Sequence, residues 1–294
     1  MNKIPPTNDL AFKKVFSSEE HKDILCGIID DTYNIKLNPS DITLANPYNI
    51  DVYKELLGGD DINAMRYNSR DIKATFDTTD FVFELQVRKT PYFSERSLYY
   101  PLESFCSNYN KAGHMEIVNE KPIRYSSLRP VYALNILGYN HFNDDDSLRI
   151  FELYDPVRNK YFDKNLLKLA YFELTKPKFE TQNQEYWCDY FKGKEISPKA
   201  PDYIKKADGI IDWVNLKEEE RDMVNRIEKA QAIYDAEYCG AYFDGVEKGI
   251  AKGEESGLIK GIIKVAKSLI LDGIAPDIVA RNTGLPLEQV KQLC

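Results

Sequence analysis

Histidine, cysteine and long apolar runs are what this chain has least of. Only His21, His114 and His141 occur in 294 residues, and three scattered imidazoles argue against a His-based triad or a His-rich metal centre. Cys26, Cys106, Cys188, Cys239 and Cys294 are odd in number, widely spaced and form no CxxC pair. That spacing argues against a zinc site or a disulfide framework and fits reduced, mostly buried thiols. No apolar run approaches the roughly 20 residues that span a bilayer, and the opening MNKIPPTNDL carries no apolar signal-peptide core. A cytoplasmic chain with no membrane partner is the expectation. Positive charge is also short, with 39 Lys and Arg against 47 Asp and Glu, a net charge of -8. Broad electrostatic attraction to nucleic acid, which rests on neutralising phosphates, is therefore not expected of the chain as a whole.

What is present suits a folded protein. Hydrophobic residues make up 43% and charged residues 29%, and 294 residues can bury a full core, so one large domain with a smaller one is expected. Thr7 to Phe16 reads as a short helix with Thr7 as N-cap. Ser17-x-x-Glu20 reads as a capping box for a second helix, buried through Ile24, Leu25, Ile28 and Ile29 and closed by the Tyr33-Asn34 turn. Asp41 to Tyr48 reads as a strand, Gly58-Gly59-Asp60-Asp61 as a loop, and Pro91 to Gly113 as mostly helical with a kink or break at Pro101. In that helix Tyr99, Tyr100, Phe105 and Tyr109 read as core residues, with base stacking the alternative. Pro130 to Leu137 (PVYALNIL) is almost continuously apolar, the pattern of a central strand buried on both faces and reached by a helical crossover. Ser147 to Tyr154 and Lys168 to Thr175 read as two further strands. The order implies an α/β or α+β sheet. After Pro177 the β signals fade; Ser197 to Pro201 reads as a linker and Asp208 to Tyr238 as helices, with Trp213 and Val214 packing and Glu218-Glu219-Glu220 as a solvated turn.

The centre of the chain is Arg70 to Lys89, RDIKATFDTTDFVFELQVRK, where two apolar runs flank the polar turn Asp77-Thr78-Thr79-Asp80. With Thr78 and Thr79 as turn centre, Ile72 faces Leu85, Ala74 faces Phe83 and Phe76 faces Phe81 on one side of a hairpin. The other side carries Asp71 opposite Gln86 and Lys73 opposite Glu84. Asp71 and Glu84 are then diagonal neighbours, and two carboxylates so close repel unless a cation lies between them. Either a divalent cation takes their oxygens, with Gln86 orienting a water beside it, or the face is solvated and Lys73 pairs with Glu84.

Asp71, followed by Glu84-x-Gln86, resembles the D…ExQ core of the PD-(D/E)XK nuclease superfamily, and more narrowly the recombination-promoting nucleases, or PD-(D/E)XK nuclease family transposases. Asn8 to Phe16 looks like the opening helix of that family, Arg96-Ser97-Leu98-Tyr99-Tyr100 like the segment after the ExQ strand, and Phe172-Glu173-Leu174-Thr175-Lys176 like its closing segment. The resemblance implies a restriction-endonuclease-like fold, a mixed central sheet flanked by helices, with an all-helical C-terminal region. It implies a nuclease domain over 1–180, a helical linker region over 181–238 and a tail over 239–294. The activity it implies is Mg²⁺- or Mn²⁺-dependent cleavage of DNA, linked to recombination or transposition. Asp71 and Glu84 would be the metal ligands and Gln86 the third catalytic residue, with Asp9 and Lys73 as possible accessories. Asp9 and Lys13 share a helical face, either as an exposed pair or, if the resemblance holds, beside the site. Gln86 stands where the wider superfamily has Lys, so either a second cation or Lys73 would have to supply the missing charge, or the rate is modest. From Gln86 to Arg129, seven Lys/Arg, Arg88, Lys89 and Arg96 among them, stand against four Glu, a local +3 of the sign that holds phosphate, with a mixed solvated face the alternative. The alternatives are an inactive nuclease fold that binds DNA or assembles through its tail, and a tail-driven regulator without chemistry.

The tail has a period of its own: Gly245, Gly249, Gly253, Gly257 and Gly261 recur every four residues. In a helix each costs about 1 kcal/mol relative to Ala, and the stripe lets another helix approach, as in a homo-oligomer, unless the run is a flexible connector. Ala280, Gly284 and Val290 have the spacing of a helix-turn-helix. Residues 235–294 hold seven Lys/Arg against nine Asp/Glu, so a packing or oligomerisation device is expected before DNA contact.

Overall fold

The computed structural model describes residues 3–58, 72–111, 113–162 and 165–293. Asp71, and residues 59–61 of the loop expected from Gly58 to Asp61, lie outside the described residues. The two opening helices form as the pattern requires, with their caps shifted by one residue. Helix α1 (Asp9–Phe16) is capped by Asn8 rather than Thr7, its Oδ1 accepting from the N–H groups of Leu10 and Ala11. Ser17 is buried and donates its hydroxyl to the Asn46 carbonyl, so capping passes to Ser18, which accepts from Glu20 N–H at a single turn over Glu19–His21. Helix α2 (Lys22–Tyr33) ends at Asn34, in the left-handed conformation at φ 55°.

The next elements build one six-stranded sheet. Strand β1 (Ile42–Leu44), shorter than the expected Asp41 to Tyr48, precedes helix α3 (Ile50–Gly58), and β2 (Ile72–Phe76) turns tightly into β3 (Thr79–Gln86). Helix α4 (Phe93–Ser107) contains Pro101 without ending there. After a small ribbon, β4 (Glu116–Val118) with β5 (Lys121–Ile123), comes the central strand β6 (Val131–Leu137). Then follow β7 (Leu148–Glu152), a second ribbon of β8 (Tyr154–Asp155) and β9 (Lys160–Tyr161), and β10 (Leu167–Glu173). The sheet order is β1-β2-β3-β6-β10-β7, with β3, β6 and β10 parallel to one another and the other pairs antiparallel. The mixed sheet flanked by helices matches the expected class, and β6 sits between two parallel neighbours, as its unbroken apolar run requires.

Alternation assigns each strand two faces. Ile72, Ala74, Phe81, Phe83, Leu85, Leu134, Ile136 and Phe172 point to the large core, which α1, α2, α5 (Gln182–Phe191) and α6 (Asp202–Ile210) complete. The opposite face carries Val82, Val131 and Ala133, with Phe105 of α4 packed on them. Of the four aromatics expected in the core of the Pro91 to Gly113 segment, Phe105 packs on the sheet, Tyr99 is exposed on α4, and Tyr109, past the end of α4, is exposed with its ring 5.1 Å from that of Tyr125. A helix over a sheet has only one side to bury, and Tyr99 is not on it.

The chain divides into two compact units, Met1–Ile227 and Glu228–Cys294, and helix α7 (Glu218–Leu271) begins in the first and continues in the second. In the first unit Trp213 packs against the core and Val214 is exposed. Glu220 departs from the solvated turn expected of it. It is 4% exposed and accepts from Lys14 Nζ (2.5 Å), the Tyr48 hydroxyl (2.9 Å) and Lys217 N–H (2.9 Å). In the second unit, α8 (Pro276–Thr283) and α9 (Leu287–Lys291) close on the end of α7 through Ala266, Val279 and Val290, with Gly284 turning at φ 72°. This is the packing expected of the Ala280, Gly284 and Val290 spacing. The five periodic glycines are helical, and a Cβ added at any of them would meet nothing within 4 Å. Among the described residues no helix is long and apolar enough to cross a membrane.

Burial opposes ionisation of Glu220, but its bonds from Lys14, Lys217 N–H and Tyr48 outweigh it and hold the carboxyl below its usual range. A depressed folded-state value means stability present above the unfolded-state pKa and lost as pH falls through the folded one. Glu220→Gln is expected to lose about 1–3 kcal/mol near neutrality, and the gap to wild type in urea midpoints should narrow as pH falls from ~6 to ~3. A gap that stays constant would show that the charge of Glu220 carries none of it.

Candidate active site

The hairpin that organises the sequence closes one residue earlier than its polar turn suggests. Phe76 pairs with Thr79, so Asp77 and Thr78 form a two-residue turn, with Asp77 left-handed at φ 50°, a conformation Asp tolerates. Ile72 therefore faces Phe83, Ala74 faces Phe81, and Lys73 faces Val82 rather than Glu84. The slip is of two residues, so every described side chain keeps its expected face although its partner changes. Thr75 and Asp80 are paired across the hairpin and share a hydrogen bond of 2.8 Å, which helps fix this register. Lys73 makes no ion pair with a described residue; its backbone N–H donates to Asn46 Oδ1.

The polar side of β3 is covered rather than solvated. Glu84 is 5% exposed and Gln86 3%, both on the α4 face of the sheet. Glu84 lies level with Asn135 of β6 and Tyr171 of β10, and Gln86 with Leu137 and Glu173, so polar side chains from all three parallel strands gather at their carboxyl ends. Arg96, in the first turns of α4, closes over them. Its Nη2 donates to Glu84 Oε1 at 2.7 Å and to Gln86 Oε1 at 2.5 Å, and Gln86 Nε2 donates to the Arg88 carbonyl. The guanidinium carbon stands 5.6 Å from the Phe93 ring centroid. A buried carboxylate needs such a partner, because its desolvation is otherwise uncompensated.

Aromatic rings pack beside this cluster. Tyr171 shares a 2.8 Å hydrogen bond with Ser97, and its ring stacks on His141 at 6.0 Å. Tyr139 lies edge-on to Phe93, and its hydroxyl is buried with no hydrogen-bond partner among the described residues. Burial pushes that hydroxyl up to about 12, with Arg96 opposing and Glu84 and Glu173 adding to the rise, so it stays a neutral donor. Burial likewise raises Tyr171, against the Ser97 hydrogen bond. Gly138 lets β6 leave beside β3: its N–H donates to Gln86 O, and a Cβ there would stand 2.7 Å from the Val87 carbonyl oxygen.

Glu173 and Lys176 lock the loop over this end of the sheet. Glu173, 1% exposed, accepts from the N–H groups of His141 and Phe142, while Lys176 donates to the Phe142 and Asp144 carbonyls. Their place in the sequence pattern is thus explained by a clamp on residues 141–144.

Of the residues singled out from sequence, the structure brings Glu84, Gln86 and Arg96 together. Asp71 lies outside the described residues, directly before Ile72, whose partner Phe83 directly precedes Glu84. Asp9 and Lys13 stand on α1, which packs on the other face of the sheet from α4, and Lys13 is buried rather than exposed. Arg88 and Lys89 follow β3 and are exposed. Sequence reasoning gave Arg96 to DNA and missed its grip on Glu84, and it passed over Tyr139 and Tyr171. Contacts across separate elements leave no mark in periodicity. Among the described residues no group of three His, Cys, Asp or Glu side chains gathers to hold a metal. What the site offers is oxygen donors, the chemistry of Mg²⁺ and Mn²⁺ rather than of soft metals.

No curated protein and no solved structure matches the chain. A family model described as PD-(D/E)XK nuclease family transposase matches residues 6–240, which takes in the sheet, Glu84-x-Gln86, Arg96 and the Glu173–Lys176 clamp. The chain belongs to the PD-(D/E)XK nuclease family transposases.

Proposed function

We propose that the chain is a divalent-cation-dependent endonuclease that hydrolyses DNA phosphodiester bonds in recombination or transposition. The observation that carries this is Glu84: a carboxylate 5% exposed, at the end of a parallel strand, two residues from a buried glutamine. Asp71 and Glu84 would hold Mg²⁺ or Mn²⁺ through carboxylate oxygens, with a backbone carbonyl next to Glu84 as a further ligand. When bound, such a cation neutralises charge developing on the phosphate and acidifies a water. Gln86 orients the attacking water through its amide. The phosphorus gains that water's oxygen and loses one ester oxygen, which takes up a proton. Arg88 and Lys89, exposed beside the site, suit the flanking phosphates.

A second possibility, an inactive nuclease fold that binds DNA, is favoured by one observation, the Arg96 guanidinium already occupying Glu84. Plasmid nicking separates the two. Wild type is expected to nick supercoiled DNA with Mg²⁺ or Mn²⁺, and Asp71→Ala, Glu84→Ala or a chelator each to lower the rate by roughly 10³-fold or more. Wild type that is folded and binds DNA yet does not nick it with any cation would establish the inactive module.

Self-association through α7 belongs to the same proposal, supported by the glycine stripe from Gly245 to Gly261, with open space at each Cβ position. Light scattering should give a multimer for wild type and a shift toward monomer for Gly253→Leu. A monomeric wild type removes this part.

A further inference from the structure

We infer that Arg96 supplies the positive charge that Gln86 cannot, acting on the phosphate from the helix that covers β3 rather than from the strand itself. This rests on the nuclease function proposed above. Three features of the cluster lead to it. The first is contact: one nitrogen, Nη2, reaches both Glu84 Oε1 and Gln86 Oε1. Lys73 faces Val82 rather than Glu84. The second is an unused donor. Arg96 Nε is buried and has no hydrogen-bond partner among the described residues, and the Tyr139 hydroxyl, which feels the Arg96 charge, is in the same condition. A buried N–H and a buried O–H left without acceptors cost free energy, and an anionic oxygen accepting from Arg96 Nε would remove that cost at the guanidinium. The third is access. The Arg96 side chain is 34% exposed while that of Glu84 is 7%, so the guanidinium is the part of the cluster that a ligand from solvent meets first.

These features give Arg96 two states. Without cation and substrate it neutralises Glu84 and holds Gln86. Were a cation held at Glu84, like charges would repel and the guanidinium would present its planar fork to a phosphate oxygen, an arrangement that guanidinium geometry favours. Arg96 transfers no proton in this scheme; it stays charged throughout and acts through electrostatics and orientation alone.

The test uses the full chain with Arg96→Gln, Arg96→Lys and the double variant Arg96→Gln with Gln86→Lys. Two readouts are taken: single-turnover nicking at saturating Mn²⁺, and Mn²⁺ affinity by calorimetry without DNA. Arg96→Gln should slow nicking by about 10²–10³-fold while binding Mn²⁺ no more weakly than wild type, since a competing cation has gone. Arg96→Lys should lose roughly tenfold, keeping charge without the fork. Adding Gln86→Lys to Arg96→Gln should recover at least about tenfold of the lost rate, by returning a cation to the site. A melting scan checks folding, and if Arg96→Gln does not fold, Arg96→Lys alone carries the test through its rate and its affinity. Mn²⁺ affinity falling in step with the nicking rate would reduce Arg96 to a structural prop for Glu84 and overturn the inference. So would Arg96→Gln or Arg96→Lys nicking as fast as wild type. Wild type that does not nick overturns the nuclease function and this inference with it, whereas nicking that Arg96 does not affect overturns this inference alone.

Discussion

A carboxylate withdrawn from water must be compensated, and in this molecule that constraint falls on Glu84. Its place on β3, between two other strands and beneath α4, leaves it 5% exposed. Arg96 answers from the next element in the chain, tying the helix to the end of the strand. Breaking such a pair costs about 3–5 kcal/mol when both members are buried, and toward the lower end here because Arg96 is a third exposed. The same geometry that stabilises the pair concentrates charge at one place, at the carboxyl ends of parallel strands, where α/β sheets tend to build ligand sites.

Other features follow from keeping that place rigid. Gly138 lets β6 pass within a Cβ's width of the Val87 backbone, so β3 and β6 remain in register up to Gln86. Glu173 and Lys176, one at the end of β10 and one just past it, gather the backbone groups of residues 141–144 and hold the aromatic wall of Tyr139, His141 and Phe142 against Tyr171. Three separate segments of the sequence thus converge on the ends of three parallel strands. Chemistry needs this sort of support, because donors and acceptors misplaced by about 1 Å lose most of their effect.

Much of this was legible in the sequence, for identifiable reasons. The unbroken apolar run from Val131 to Leu137 could only be a strand covered on both faces. The alternation from Ile72 to Gln86 placed Glu84 and Gln86 on one face whatever the register, because a slip of two residues preserves the faces. Partners were not legible. The turn residue Asp77 adopts a left-handed conformation that composition does not announce, so Lys73 was assigned to Glu84 instead of Val82. Glu220 looked like one of three solvated acids, yet Lys14 and Tyr48, more than 170 residues earlier in the chain, bury it. Arg96 carried a basic charge near a presumed phosphate site, and only the fold shows that the helix points it inward. Periodicity fixes which face a side chain takes; it is silent on what meets it there.

The central claim is that Glu84 and Asp71 together hold a divalent cation in the place Arg96 now guards. A crystal grown with Mn²⁺ and examined by anomalous scattering tests it most directly. The account predicts a manganese peak bonded to carboxylate oxygens of both Asp71 and Glu84, with the Arg96 guanidinium moved off Glu84. Manganese bound elsewhere, or none at all with Arg96 still bonded to Glu84, would contradict it.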